Sequence, residues 1–491
     1  MTNSNAAPSG APAGAAADAP AVPLRDPGMY PWLIAFAGML SLFVSNGMTA
    51  TGITIFDPAL LNEFGWGRGD FKFRDTLNLV VAGLVAPVAG ILIDRVNPKY
   101  LMMTGCALLT MGYLGYSMIA NGGPVPLIEA IAVVTIAGLA TFLYLGLRQL
   151  LHWSVMVSGA VAGLVALGGG LAYWQAWSGI ALKQVYMIHL LFALVLSTAG
   201  SMVIIFLVSS WFVRHRGLAI GIALVGTSMG SAILPLFNPD LIAAYGWRQS
   251  YVINAAMPVL MFVFVLLFIK GTPRHAGMTA LGQSDSIADL KQHGLTYSAA
   301  IRTKTFWMIA VSGFLTYFSI FSFVQHAVLH ANKGFGMPLK EAGFLMFVFS
   351  VVAMISKLAS GFLADIFDRH KVFTGCFAVM LLGVIALATM NRELLFPAAI
   401  VIAMGWGGLF TLYNMLAVSN FGLREIGRIN GTVSLLESVG AGLGSWVTGI
   451  LFDIYGSYQV AFIALSVMVA IALALSTQIR SEVDERSLLK A

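Results

Sequence analysis

The sequence predicts an all-α integral membrane protein of about fourteen spans, built as two related six-helix halves with a two-helix hairpin inserted into the first. Three observations lead there. Charged residues make up 10% of the 491 and apolar residues 58%, with a mean hydropathy of +0.86, less charge than a soluble chain of this length carries. About fourteen apolar runs approach the ~20 residues that cross a bilayer as a helix. A glycine-and-carboxylate signature occurs twice, as GILIDRVNPK with Gly90, Asp94, Arg95 and Lys99, and as GFLADIFDRHK with Gly361, Asp365, Asp368, Arg369 and Lys371.

Residues 1–28 are rich in Ala, Pro, Gly and Ser. They lack a basic stretch followed by an apolar core, so they read as a disordered cytoplasmic tail and not as a cleaved signal peptide. The first apolar run covers about 31–52, the second 74–94, and the last 458–478; a single long run is expected over 185–210. A polar interruption at 271–303 reads as a cytoplasmic linker, with a short helix near 285–293, between a first half at 29–270 and a second at 304–480. Residues 481–491 form a second cytoplasmic tail.

With the N-terminus placed inside, 18 of the 27 Lys and Arg fall on inner segments and 8 on outer ones, and Lys357 lies within a span. That is the positive-inside asymmetry. It accounts for the net charge of +6 without a nucleic-acid partner. The expectation is a multi-pass, monomeric protein of the plasma membrane (the inner membrane in a bacterium), with lipid bilayer around it. Cys106 and Cys376 each fall in a span and read as packing residues. No nucleophile–base pair, phosphate loop or metal-ligand set stands out, so no enzyme, cofactor or resident metal is expected.

The halves align on more than the signature. A shift of 271 places Gly90 on Gly361 and Asp94 on Asp365; further along the shift is 210, placing Arg214 on Arg424, Gly217 on Gly427 and Tyr245-Gly246 on Tyr455-Gly456. The first half therefore holds 61 residues more, which fall at about 121–184 and suffice for an added helical hairpin. A re-entrant hairpin is the competing reading. Gly226-x-x-x-Gly230 and Gly440-x-x-x-Gly444 allow close backbone approach, and their presence on equivalent helices suggests the moving interface between the halves.

The doubled signature resembles the loop motif of the major facilitator superfamily, over residues 30–478. FGWGRGDF at 64–71, WFVRHRGLAIGIALVGTSMG at 211–230, YGWRQSYV at 245–252 and RTKTFWM at 302–308 resemble the oxalate/formate antiporter and monocarboxylate transporter branch. The resemblance implies a secondary active transporter that carries a small organic anion, a monocarboxylate, by alternating access, with protons as candidate coupling ions. It also implies that Gly90, Asp94 and Arg95, with Gly361, Asp365 and Arg369, form a conformational latch that stabilises the outward-facing state. In the second copy Asp368-Arg369 comes three residues late. A basic loop that merely sets topology is the plainer reading of both.

Lys357, in FVFSVVAMISKLASGF, is the strongest single residue. A Lys at the centre of a span costs ~2.5–3.5 kcal/mol on insertion scales, so it faces an aqueous cavity or a partner. The resemblance puts it where anion-carrying relatives hold a substrate-binding Arg, although an ammonium lacks the guanidinium fork. Glu437 lies at similar depth and is its natural partner, as a structural ion pair or as the proton-coupling group. Oxalate carriers have a second basic residue on that helix, and monocarboxylate carriers an Asp where this chain has Ala353; both departures argue against oxalate. Asn46, Thr198, Thr227, Tyr317 and Trp406 are further candidates to line a substrate cavity, each also explicable as packing. His326 and His330, spaced i,i+4, read as an interfacial pair near the outer mouth rather than as metal ligands. The alternatives to anion transport are a facilitator or exporter of a neutral or amphipathic compound, and a transporter-like sensor that does not turn over.

Overall fold

The computed structural model describes residues 27–149, 151–282, 294–422 and 425–479. The expected tails (up to residue 26 and from 481), the short helix near 285–293 and Arg424 lie outside the described residues, as do the side chains of Asp94 and Asp365. Twelve helices among the described residues are long and apolar enough to cross a membrane, and β-structure there is confined to two isolated bridges.

The first half begins with α1 (Tyr30–Asn46), started by Pro31 in its first turn, where a missing N–H costs nothing. The predicted end near 52 is wrong. The chain stays helical through a π turn (Gly47–Thr51) and a 3-10 turn (Gly52–Phe56) into α2 (Asp57–Phe64), and stops at Gly65, a left-handed cap with φ of 65°. Next comes α3 (Arg68–Arg95), six residues earlier than the predicted start, which brings Lys72 into the helix and adds a polar turn ahead of Arg74 and Asp75. It is followed by α4 (Pro98–Ser117), α5 (Pro126–Gln149) and α6 (Val155–Ala176).

The run expected at 185–210 is two helices, α7 (Ala181–Ala199) and α8 (Ser201–Trp211), because Gly200 leaves helical geometry at ψ −172°. Then α9 (Arg216–Asn254) carries Pro235 and Pro239 and breaks at Gly246 (φ 75°, ψ 163°) before α10 (Ala256–Phe268). Short helices α11 (Pro273–Ala276) and α12 (Tyr297–Ala300) flank the linker. The second half comprises α13 (Lys304–Leu329), α14 (Leu339–Ile366), α15 (Arg369–Ala388), α16 (Leu395–Phe421), α17 (Ile426–Tyr455) and α18 (Gln459–Ser476).

The hairpin helices pack on each other, and α5 also rests on α3, α4 and α7. Tyr173 and Ser178 hydroxyls donate to the Glu129 carboxylate and tie the two together. The outer face of α6 shows Met156, Leu164 and Leu167 to the surroundings, a surface suited to lipid.

The linker touches both halves in the same way. Leu281 donates to the Trp211 carbonyl (2.9 Å) and accepts from Arg214 N–H (3.1 Å), while Leu295 donates to the Phe421 carbonyl (2.8 Å). Trp211 and Phe421 are equivalent under the 210-residue shift. Helix caps repeat too: Asn97 accepts from the Lys99 N–H, and Asp368, 271 residues on, accepts from the His370 and Lys371 N–H groups. Asp368 is thus a helix cap, which explains why the second signature carries an acid at that point.

The two GxxxG runs do not sit between the halves. A Cβ on Gly226 would lie 2.0 Å from the Met39 carbonyl and one on Gly230 2.3 Å from the Gly47 Cα, both on the α1 path. Gly440 and Gly444 are pressed in the same way onto the Phe314 and Phe318 carbonyls of α13. They weld each half internally. The expectation that they mark the moving interface is therefore corrected.

Candidate functional site

Contacts between the halves are concentrated away from the linker, along α3–α17 and α9–α14. At the far end, the Asp453 carboxylate accepts from the Arg68 and Gly69 backbone N–H groups (2.9 and 2.6 Å). Further in, Thr76 Oγ1 donates to the Gly442 carbonyl (2.7 Å). Lys340 pairs with Asp240 at 3.0 Å on the exposed rim. Glycines make the approach possible here: a Cβ on Gly343 would stand 2.1 Å from the Pro235 carbonyl, and one on Gly83 2.7 Å from Ser438 Cβ. Toward the linker the contact ends. Among the described residues nothing lies within 4 Å of a Cβ placed on Gly217, Gly221, Gly427 or Gly431, and Leu218, Leu358 and Phe362 are exposed. The far end is sealed and the linker end open.

Lys357 of α14 stands at the floor of this opening. Its Nζ donates to Ser228 Oγ (2.8 Å) and Thr227 Oγ1 (3.4 Å) of α9, in the other half, and lies 4.2 Å from the centre of the Phe410 ring. Among the described residues it forms no ion pair. Hydroxyls and a ring face attract a cation without neutralising it. The expected pairing with Glu437 is thus not made in this state.

Glu437, on α17, is buried. It is hydrogen-bonded by Ser434 one turn earlier and neighbours Tyr317 and Tyr413. Between it and Lys357 the wall is aromatic: Phe410 meets Trp406 at 5.6 Å and Trp406 meets Tyr317 edge-on at 5.1 Å. Of the cavity candidates, Lys357, Thr227, Tyr317 and Trp406 therefore belong to one region. Thr198 does not. It is buried, its hydroxyl donates to its own helix at the Leu194 carbonyl (2.8 Å), and it packs against Gly105 of α4. Asn46 ends α1, and its buried carboxamide oxygen has no partner.

The two signature glycines are uncrowded in this state. The nearest atom to a Cβ on Gly90 would be Met202 Sδ at 4.0 Å, and to one on Gly361 the Thr411 Cγ2 at 3.8 Å. Arg95 donates to Gln149 Oε1 (3.0 Å) at the end of α5, and Arg369 opens α15. With the linker end open, neither glycine is in close contact with another helix among the described residues.

Sequence reasoning missed a cluster of four buried charges at the far end. The Asp57 carboxylate takes Lys72 Nζ at 2.6 Å and Arg74 Nη2 on its other oxygen. Asp75 lies 3.4 Å from both Lys72 Nζ and Arg74 Nε, and its Oδ2 accepts from Ser445 Oγ of the second half at 2.8 Å. His189 and Tyr116 complete the group. The available signal was three charges, Lys72, Arg74 and Asp75, in four residues at the head of an apolar run, with Asp57 fifteen residues before. His326 and His330 are buried rather than interfacial. His326 Nε2 bonds the Ser445 carbonyl (2.8 Å) and its Nδ1 the Tyr458 hydroxyl (3.0 Å).

The Major Facilitator Superfamily family model matches residues 163–445 and 309–488. Relatives include the uncharacterized MFS-type transporter YhjX of Escherichia coli (strain K12), 26% identical over 48% of this chain and 56% of its own length. Monocarboxylate transporter 13 of Bos taurus is 28% identical over 52% and 58%. The probable nitrate transporter NarT of Staphylococcus aureus (strain Newman) is 28% identical over 54% and 65%. The chain thus spans less than two thirds of the length of these curated relatives. Among solved structures, a bacterial homolog to the human lysosomal transporter Spinster, in an inward-facing and unoccupied conformation, superposes with a TM-score of 0.58 at 15% identity, covering 94% of this chain and 98% of that one. The occupied inward-facing form gives the same TM-score at 14% identity. These likenesses concern the fold.

Proposed function

From the premise that this chain belongs to the major facilitator superfamily, we propose that it is a secondary active transporter moving a small organic anion, a monocarboxylate, across the plasma membrane by alternating access with a proton. The single observation that supports this reading is Lys357: a cation deep in the span region, touching both halves, and held among the described residues by neutral groups. Such a group attracts a carboxylate strongly where water is scarce. The aromatic wall of Phe410, Trp406 and Tyr317 suits the apolar body behind that carboxylate. With the linker end taken as cytoplasmic, the state described is inward-facing, the glycines of both signatures are uncrowded, and α5–α6 is an added hairpin that raises the span count to fourteen.

The deciding experiment is uptake into liposomes across a panel of labelled monocarboxylates, with oxalate, nitrate and a neutral amphipathic compound included, under imposed pH gradients and then with internal counter-substrate. Saturable, proton-driven uptake of a monocarboxylate is expected. Nitrate belongs in the panel because a lone ammonium also suits an inorganic anion and one relative bears that name. Transport of the neutral compound alone would replace the anion reading, and no flux with any compound would favour a sensor.

Glu437→Gln removes the acid near the anchor without changing its size. Anion binding and exchange should persist while uphill accumulation driven by a pH gradient is lost; unchanged accumulation would leave Glu437 structural. Asp94→Asn should slow turnover but spare substrate-induced thermal stabilisation, because a latch made in one state shifts populations and leaves the distant anchor alone. Equal loss of both would assign Asp94 to folding or binding.

A further inference from the structure

Asp57 and Asp75 are held unequally. Asp57 is saturated by two short contacts, one to each cation. Asp75 has both cations at 3.4 Å, and its one short hydrogen bond, 2.8 Å from Ser445 Oγ, comes from the other half. His189 Nδ1 faces Asp75 Oδ1 at 3.8 Å and the Arg74 backbone carbonyl, with neither at good hydrogen-bond geometry among the described residues. His189 Nε2 lies 2.7 Å from the Tyr116 hydroxyl, which Arg74 also contacts.

Two carboxylates and two cations balance without a charge on His189. The other titratable groups around the cluster are Tyr113 and Tyr116 on α4, Tyr251 on α9, His326 on α13 and Tyr458 ahead of α18. Tyr116 and Tyr251 are stacked, and His326 has both nitrogens bonded. On the α17 side the group facing Asp75 is Ser445. His330 has two unpartnered nitrogens, but its surroundings are Phe335, Tyr458 and Phe462, with no carboxylate paired to it.

We propose that Asp75 and His189 form a proton-binding site in the far-end seam, filled from the far side when the seam parts, and that an occupied site opposes its closing. With the seam closed, the Ser445 hydroxyl donates to an ionised carboxylate, a charge-assisted bond. When α17 withdraws, water replaces Ser445 and one proton binds from it. The proton belongs to the Asp75–His189 pair rather than to either member. Closing again on the occupied pair would forfeit the charge-assisted bond and bury one charge in excess, which is costly in such a cluster. A proton that binds the parted seam better than the closed one shifts the population toward the state open at the far end. Acidity on that side thus holds the gate open, whatever the substrate.

The test reads the seam directly. Asp240→Cys and Lys340→Cys, in a background with Cys106 and Cys376 replaced by Ser, place two labels across the exposed rim pair, whose loss costs little. Distances are measured in lipid nanodiscs with no substrate. Lowering the pH from about 7.5 to about 5.5 should raise the ratio of far-open to far-closed molecules about tenfold, within the ~100-fold that one linked proton allows over two pH units. His189→Gln should close normally at the higher pH and lose most of that response. Asp75→Asn, which imitates the protonated acid, should favour the far-open state at both pH values. An unresponsive wild type overturns the proposal, as does a full response in His189→Gln or loss of the response in Glu437→Gln. If Asp75→Asn does not fold, His189→Gln decides alone, its closed distance at the higher pH reporting the fold.

Discussion

Lys357→Gln should abolish anion binding. Removing one member of a buried charge pair costs ~2–5 kcal/mol, so affinity should fall about 30-fold or more. Glutamine keeps most of the side chain's bulk and a hydrogen-bonding end while it removes the charge. Lys357→Arg should keep binding, because the guanidinium retains the charge and adds a fork suited to a carboxylate. Calorimetry or ligand-induced thermal stabilisation of the purified protein measures both. Retained anion affinity in Lys357→Gln would remove Lys357 from the substrate site.

Asp57→Asn should be the most damaging single change to stability. It leaves Lys72 and Arg74 buried with Asp75 alone between them, and an uncompensated buried charge costs ~3–5 kcal/mol. Thermal unfolding followed by size-exclusion fluorescence should show a large fall in midpoint, or no folded protein at all. The double variant Asp57→Asn/Arg74→Gln restores the balance of charge and should recover much of the loss. Coupling between groups in direct contact makes such a pair non-additive. If the double variant proved as unstable as the two single losses summed, the charge-balance account would fail.

The family and the helical fold were legible because they depend on composition and on spacing repeated across the chain. Lys357 was legible for the same reason: a cation in an apolar run has few explanations. Its partners were not. The hydroxyl of a mid-helix Thr satisfies itself on a preceding carbonyl, as Thr198 does at Leu194 and Thr227 at Leu224. Nothing in sequence distinguishes Thr227, which also meets Lys357, from Thr198, which faces α4. Glu437 lies at a depth similar to that of Lys357, but depth says nothing of azimuth, and an aromatic wall separates the two. The presence of the GxxxG runs on equivalent helices suggests a moving interface, but equivalence holds just as well for the internal weld of each half. The far-end cluster was lost at a boundary. Starting the second helix near 74 makes Lys72 a loop residue, and the true start at Arg68 makes it a charge in a span.

That cluster has a consequence for how the chain enters a membrane. Among the candidate spans, the one formed by α3 has the lowest mean hydropathy, 1.2, with Arg74 and Asp75 inside its most apolar stretch and Lys72 just ahead of it. Alone in lipid its buried cluster would present two cations, Lys72 and Arg74, against one acid, Asp75. The neutralising carboxylate, Asp57, belongs to the segment synthesised just before, so α1 through α3 form the smallest piece whose charges close on themselves. The first span is therefore expected to wait beside the insertion machinery until the second emerges, the pair partitioning as a helical hairpin rather than as two successive helices. The polar residues that seal the far end late in the transport cycle are thus engaged with one another before the second half of the protein has been made.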